Sequence, residues 1–373
     1  MHAQREDPAI PAWSSDQLDV LTPPEIEAPY FDQTLNAWIL SKHSDILAAF
    51  HTSSLCPVGS NSKKIPEQAE ETLRTKMRTE TRAALCPGQL KAWREQWAPE
   101  IEARVRTLPT DKPIDLLAAY AEPLCLSLAA MVTAISQKVA SSLSELARIV
   151  SASAAEPYDE ELRIAAKKAN EELRCPFNSV HEALRDSSFV ALSQTVPRML
   201  GNAWFGLLRY PQQWSLLHTT PGLTEQAVEE LMRYAGLVRI IARYATEDIK
   251  LNGLSISKGE RIIMRIFAGN RDPECFANPD QLDVLRRSAG SLGLGAGSHS
   301  CVGASLIRMA AVMLTRPLMQ SFSSANLTRP VEWKGGSVCR SPRFLWVNLH
   351  PTAYPVSRQN SDLPLDQADE LGI

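Results

Sequence analysis

The chain has 373 residues, 44% of them apolar and 22% charged, with a formal net charge of −3. Ordinary globular composition at this length suggests two or three domains. The slight acidity argues against wholesale binding to nucleic acid or to an anionic membrane. The nearly apolar stretch Leu124–Ile135 is too short to span a bilayer. The polar start, Met1 to Asp7, has no signal-peptide core, so a cytoplasmic location is expected. Seven cysteines (Cys56, Cys86, Cys125, Cys175, Cys275, Cys301, Cys339) are scattered without a Cys-x-x-Cys pair. That spacing argues against a disulfide framework or a zinc cluster, and most of them read as small buried thiols.

In chain order, residues 1–29 lack periodicity and read as a loose lead-in. A strand-like run at Trp38–Ser41 precedes a helical pattern from Asp45 to Phe50. Helical signal runs from Glu67 to Ile135, with breaks at Pro87-Gly88 and Leu108-Pro109. It continues from Leu143 to Cys175, and Ser179–Leu208 reads as one long helix. Thr224 is placed to N-cap a helix ending at Tyr234. Arg243–Leu251 and Leu254–Ile256 flank Asn252-Gly253, a hairpin signal. The glycine-rich run Ser291–Gly303 opens into a helix with Val302, Leu306, Met309, Ala310 and Met313 on one face. Residues 356–373 are polar and acidic and read as a mobile tail. The pattern is mainly α, an α-rich α+β architecture.

The chemistry is concentrated in Leu294-Gly295-Ala296-Gly297-Ser298-His299-Ser300-Cys301-Val302-Gly303. Gly295, Gly297 and Gly303 permit tight turns and close approach to a flat ligand. Cys301 stands where the loop enters a helix, and amides and the helix dipole there favour a thiolate. A thiolate donates electron density to haem iron. The plainer alternative is a glycine loop carrying an ordinary buried cysteine.

This loop resembles the haem-binding signature of the cytochrome P-450 superfamily, Phe-Gly-x-Gly-x-His-x-Cys-x-Gly followed by Leu-Ala-Arg. Leu294 replaces the usual Phe, and the tail reads Leu306-Ile307-Arg308. Glu230-Leu231-Met232-Arg233 resembles the family's Glu-x-x-Arg helix, with Arg286 completing its buried triad. Ala268–Pro273, Phe276, Asp115–Leu124 and Trp38–Phe50 also match family usage. The likeness spans residues 30–355. It implies one mostly helical domain, with the haem buried between the long central helix and the cysteine loop.

The resemblance implies Cys301 as the axial ligand of a b-type haem (iron protoporphyrin IX), with Gly295 and Gly303 shaping the loop. Arg78, Arg243 and His299 fall on propionate-binding positions, and Arg74 stands where the family usually has His. Charge-assisted hydrogen bonds contribute roughly 1.5–3 kcal/mol each, enough for two or three to fix the porphyrin's rotation. For the arginines, a solvated helix face is the alternative.

Ala191-Leu192-Ser193-Gln194-Thr195-Val196-Pro197 occupies the place of the family's Ala-Gly-x-(Asp/Glu)-Thr. Thr195 is retained as the catalytic hydroxyl, Leu192 replaces the small Gly, and Gln194 replaces the acid. A neutral amide orders water but cannot exchange protons as a carboxylate does. Pro197 clashes with the carbonyl of Ser193. The resulting kink either opens the helix near the haem or serves packing alone. The chain is also short between Leu146 and Ala191, where the family builds its substrate lid.

Together the resemblance implies a monooxygenase of secondary metabolism acting on a small organic substrate, fed by a ferredoxin-type or flavodoxin-type electron donor. Arg74, Lys76, Arg78, Arg82, Lys91 and Arg94 form the basic surface for that donor. The altered central helix keeps an alternative open: peroxide-driven oxidation, phenolic coupling, desaturation or rearrangement. A haem-binding sensor without turnover is the third reading.

Overall fold

The computed structural model describes residues 25–57, 67–157, 159–174, 177, 184, 186–287, 290–297, 300–336 and 338–352. The lead-in up to residue 24 and the acidic tail lie outside the described residues, as do Cys175 and His299. Strands β1 (Tyr30–Asp32) and β2 (Ala37–Leu40) form a hairpin, followed by α1 (His43–His51) and β3 (Leu55–Pro57). Helices α2 (Glu67–Ala84) and α3 (Pro87–Arg106) follow, separated at Pro87 as the sequence suggests. Next come β4 (Ile114–Asp115), α4 (Glu122–Val132), α5 (Gln137–Ala155) and α6 (Glu160–Arg174). Helices α7 (Asp186–Val190) and α8 (Val196–Arg209) belong to the central helix, and α9 (Pro211–Thr219) and α10 (Thr224–Tyr234) come after it.

The small β component follows. Strand β5 (Ile240–Ala245) precedes the hairpin β6 (Ile249–Leu251)–β7 (Leu254–Ile256), then β8 (Arg261–Arg265) and the short α11 (Ile266–Gly269). Helix α12 (Ala304–Ser321) leads into β9 (Phe322–Leu327), β10 (Trp333–Lys334), β11 (Ser341–Pro342) and β12 (Trp346–Pro351). The main sheet has order β1-β2-β8-β5-β3, with only β2 and β8 parallel. A three-stranded sheet β4-β12-β9 sits apart from it.

Most sequence-level expectations meet these elements, and the departures have physical causes. The turn Asn252-Gly253 has φ of 45° and 87°, the left-handed pair that a two-residue hairpin needs. Its first strand starts only at Ile249, because Arg243 belongs to β5 of the main sheet. Thr224 does not cap α10. A single 3-10 turn, Pro221–Leu223, feeds the helix directly, and the Thr224 hydroxyl donates to the Pro221 carbonyl at 2.7 Å. On α12 the buried stripe is Leu306, Met309, Ala310, Leu314 and Leu318, leaving Val302 and Met313 only half-buried.

The central helix is not uniform. It widens into a π-turn over Ala191–Thr195, and the Val196 N–H bonds back to the Ala191 carbonyl. Pro197 stands one residue later. The same arrangement occurs at Leu117–Ala121, a π-turn followed by Glu122-Pro123 at the start of α4. Proline offers no N–H and its ring crowds the carbonyl four residues back. Widening the preceding turn absorbs that crowding inside a continuous helix. The kink expected at Pro197 is therefore realised as a π-turn.

One principal core joins the helices, so the two or three domains suggested by length reduce to one. Trp97, Tyr120, Phe177, Phe189, Trp204 and Trp214 are fully buried in it. Three of these place their polar tips on partners. Tyr120 Oη donates to the Leu314 carbonyl at 2.9 Å, Trp204 Nε1 to Thr315 Oγ1 at 3.1 Å, and Trp214 Nε1 to the Phe322 carbonyl at 2.9 Å. A smaller cluster of Leu40, Phe50, Met264 and Leu292 joins α1 to the main sheet, with Ala296 of the cysteine loop packed on it.

A buried ionic group ties α10 to the segment before that loop. Glu230 is completely buried, and Arg233 donates to both its oxygens at 2.7 and 2.8 Å. Arg286 Nε adds a third bond at 3.2 Å and the Asp283 N–H a fourth at 3.1 Å. Arg233 also donates to the carbonyls of Asn270 (2.7 Å) and Pro279 (2.9 Å). Removing one member of such a group strands a buried charge, at a cost of about 3–5 kcal/mol. Glu230→Ala should lower unfolding stability by that amount in a denaturant titration. A loss below about 1 kcal/mol, the range of exposed pairs, would show that the group is not a structural tie.

Candidate active site

The cysteine loop is built outward from this ionic frame. Asn270, whose carbonyl receives Arg233, uses its own Oδ1 to accept the Leu292 N–H at 2.8 Å. Gly295 N–H then bonds to the Leu292 carbonyl at 2.9 Å, and Cys301 N–H to the Leu294 carbonyl at 2.7 Å. Gly295 and Gly297 have φ of 69° and 60°, which L side chains rarely adopt. At Gly297 a Cβ would also lie 2.8 Å from His51 Nδ1 and 2.9 Å from the Phe50 carbonyl, so α1 leaves no room for one.

Gly303 differs from the other two. Its φ is −87°, open to any residue, so the tight turn expected there is absent. Its amide hydrogen-bonds the Cys301 sulfur, and a Cβ on it would stand 3.9 Å from Sγ. A Cβ there would make only an ordinary van der Waals contact with the sulfur.

Burial pushes the Cys301 thiol above its ordinary range, while the Gly303 N–H, Arg78 and Arg308 pull it down. The sequence reading counted only the helix terminus and missed the larger effect of burial. A coordinating cation overcomes that penalty, since a metal-bound thiol is deprotonated. One sulfur that accepts an amide hydrogen bond and stands near two cations is a donor set that fits an iron porphyrin.

The proposed propionate residues divide. Arg78 of α2 is half-buried and donates to the Ser300 carbonyl at 2.7 Å, beside the cysteine. Arg243 is half-buried on β5, paired with Ile262 and Pro57, and donates to the Ala242 carbonyl at 2.9 Å. Arg74 lies on α2 with its side chain outside the described residues, as is His299 altogether. Gln194 and Thr195 close the π-turn and are half-buried, while Leu192 is 2% exposed in the main core. The sequence reading missed Asn270, which braces the loop, and Arg308, which acts on the sulfur and pairs with Glu229. Both lay within quoted motifs, but nothing local told which atoms they would meet.

Residues 213–342 match the family model for cytochrome P450. They contain the ionic frame, the β5 segment and the cysteine loop. Over that stretch the chain is similar to cytochromes P450. It is 37% identical over 145 residues to the biotin biosynthesis cytochrome P450 of Bacillus subtilis (strain 168), covering 39% of this chain and 36% of that protein. It is 38% identical over 141 residues to nocardicin C N-oxygenase of Nocardia uniformis subsp. tsuyamanensis, covering 36% and 35%. The chain thus spans about a third of the length of these curated relatives.

Solved structures extend the likeness to the whole fold. A crystal structure of P450BioI in complex with a hexadec-9Z-enoic acid-ligated acyl carrier protein gives a TM-score of 0.74 at 21% identity, covering 84% of this chain and 92% of that one. Mycobacterium smegmatis CYP164A2 gives the same TM-score and identity, with 84% and 91% coverage. The P450 fold is mainly α, as the sequence pattern indicates.

Proposed function

We propose that this protein is a cytochrome P450 monooxygenase that oxidises a small organic substrate of a biosynthetic pathway, using dioxygen and two electrons from a redox partner. The observation that supports this most is the cysteine loop, where the Cys301 N–H bonds to the Leu294 carbonyl at 2.7 Å and Arg78 donates to the Ser300 carbonyl beside it at 2.7 Å. Residues 30–355 would form the working unit, with Cys301 holding b-type haem and Arg78, Arg243, His299 and Arg74 meeting its propionates. Bound there, the haem supplies reductive activation of dioxygen and insertion of one oxygen atom. The similar proteins named for biotin and nocardicin C chemistry support a biosynthetic substrate. The short span before Ala191 supports an open pocket or a substrate presented by another protein.

The purified chain should carry b-type haem, and its reduced carbon-monoxide complex should show the red-shifted band of thiolate ligation. Cys301→Ser should abolish that band. A band that survives this change but is lost with another cysteine would overturn the ligand assignment.

The Thr195 hydroxyl can hold and pass a proton, whereas the Gln194 amide can only orient a water. If the two organise a proton route, Thr195→Ala should divert electrons to peroxide and lower product per electron by roughly tenfold. Full product yield per electron with intact haem would favour the second reading, in which the altered helix serves peroxide-driven or non-hydroxylating chemistry. The observation favouring that reading is Leu192, a large side chain buried where the family keeps a glycine.

The redox partner is proposed to be an acidic ferredoxin-type or flavodoxin-type protein docking on α2 and α3. Lys76, Arg82, Lys91 and Arg94 are exposed there. Arg82→Glu or Lys91→Glu should slow reduction by about tenfold at low salt, with the difference shrinking as salt rises. Rates unchanged by mutation and by salt would exclude this surface.

A further inference from the structure

A cavity of about 390 Å³ opens behind the π-turn of the central helix. Its walls come from the start of α4, from α5, from the π-turn and α8, and from the β10–β11 hairpin. Ser193, Gln194, Pro197 and Arg198 face it, whereas Leu192, Val196 and Met199 belong to the main core. Cys301 and its loop do not line it. It shares Gln194 with the site described above but not the cysteine loop.

We propose that this cavity binds a small polyanion, a metabolite carrying phosphate or carboxylate groups. Four cations converge on it from distant parts of the chain: Arg148, Arg198, Lys334 and Arg343. Arg148 is already matched by Glu145, which it grips with Nε at 2.7 Å and with NH2. Arg198, Lys334 and Arg343 then face a single remaining carboxylate, Glu122. No ion pair joins Glu122 to any of them among the described residues, and Arg198 makes one hydrogen bond there, to Ser151 Oγ at 3.1 Å. Its guanidinium has five N–H donors in a planar fork suited to oxyanions.

The electrostatics agree with this geometry. Burial, and then Arg198, Arg148 and Arg343, hold the Lys334 ammonium below its ordinary range, with only Glu122 opposing. Burial likewise lowers Arg198, and burial with Asp115 raises Glu122. Arg198 is half-buried and Arg148, Lys334 and Arg343 are exposed; like charges gathered there repel, and an anion bound among them would remove that repulsion. The volume lies within the range of small-molecule sites. Because Gln194 and Ser193 form one wall, an occupant would brace the turn that carries Thr195.

Calorimetric titration of the purified full chain with inorganic phosphate, and separately with citrate, tests the site. At least one should bind saturably, and preference between them identifies phosphate or carboxylate as the recognised group. Arg198→Gln and Lys334→Gln should each weaken binding by about tenfold, roughly the loss of one charge-assisted hydrogen bond. Glu122→Gln should tighten binding, because it removes the one carboxylate that would repel the ligand. Unchanged circular dichroism and thermal unfolding in these variants verify folding, so the result stands apart from the fate of the haem and monooxygenase reading. Absence of saturable binding by both anions, indifference to both cation substitutions, or weaker binding in Glu122→Gln would overturn the proposal.

Discussion

The fold depends on a carboxylate with no access to water. Glu230 has zero exposure and accepts hydrogen bonds from two guanidinium groups and a backbone amide. Desolvating such a group costs several kcal/mol, so the compensating geometry has to be exact within tenths of an ångström. Arg233 spends its other donors on the carbonyls of Asn270 and Pro279, which commits the chain between α11 and Arg286 to one path. Asn270 passes the constraint to Leu292, and the cysteine loop starts there. The ion group is valuable for the position it imposes, whatever its net contribution to stability.

Past that frame, the loop is shaped by what is missing from it. The side chains absent at Gly295 and Gly297 allow left-handed backbone, and at Gly297 they also allow contact with α1. At Gly303 the backbone amide instead hydrogen-bonds the sulfur. The sulfur is therefore held by the backbone, with its charge balance set by an amide, two arginines and burial. Polar groups placed before a reaction starts need no reorganisation during it, which is the general advantage of such a site.

The two π-turns show one solution used twice. Each precedes an x-Pro pair, at Glu122-Pro123 and Val196-Pro197, and α4 packs against the second of these turns. Widening a turn exposes groups that a regular helix would keep to itself, and π-turns are frequent at functional sites for that reason. Here the second one presents Ser193 and Gln194 to a charged cavity on one side and keeps Leu192 in the core on the other. Leu192 and Gln194 thus fall on two different surfaces of this helix.

Much of this was legible in the chain itself, because the informative signals were local. Glycines around Cys301, the three-residue spacing of Glu230 and Arg233, Pro87 at a helix start and Asn252-Gly253 at a hairpin each act through neighbouring residues. What required tertiary structure was every question of which distant atom lies opposite. Thr224 reads as a cap, but the 3-10 turn before it gives its hydroxyl a different partner. Pro197 reads as a kink, yet whether a helix bends or widens depends on what packs around it. Arg198 and Lys334 are ordinary charges in sequence, 136 positions apart, and only folding brings them to one cavity. Burial is likewise a property of the whole molecule, so the effect that dominates the Cys301 thiol was invisible in its loop. The sequence by itself determined which residues could bind, turn or ionise; the tertiary structure decided which of them meet, because desolvation and charge pairing depend on neighbours that the chain order does not reveal.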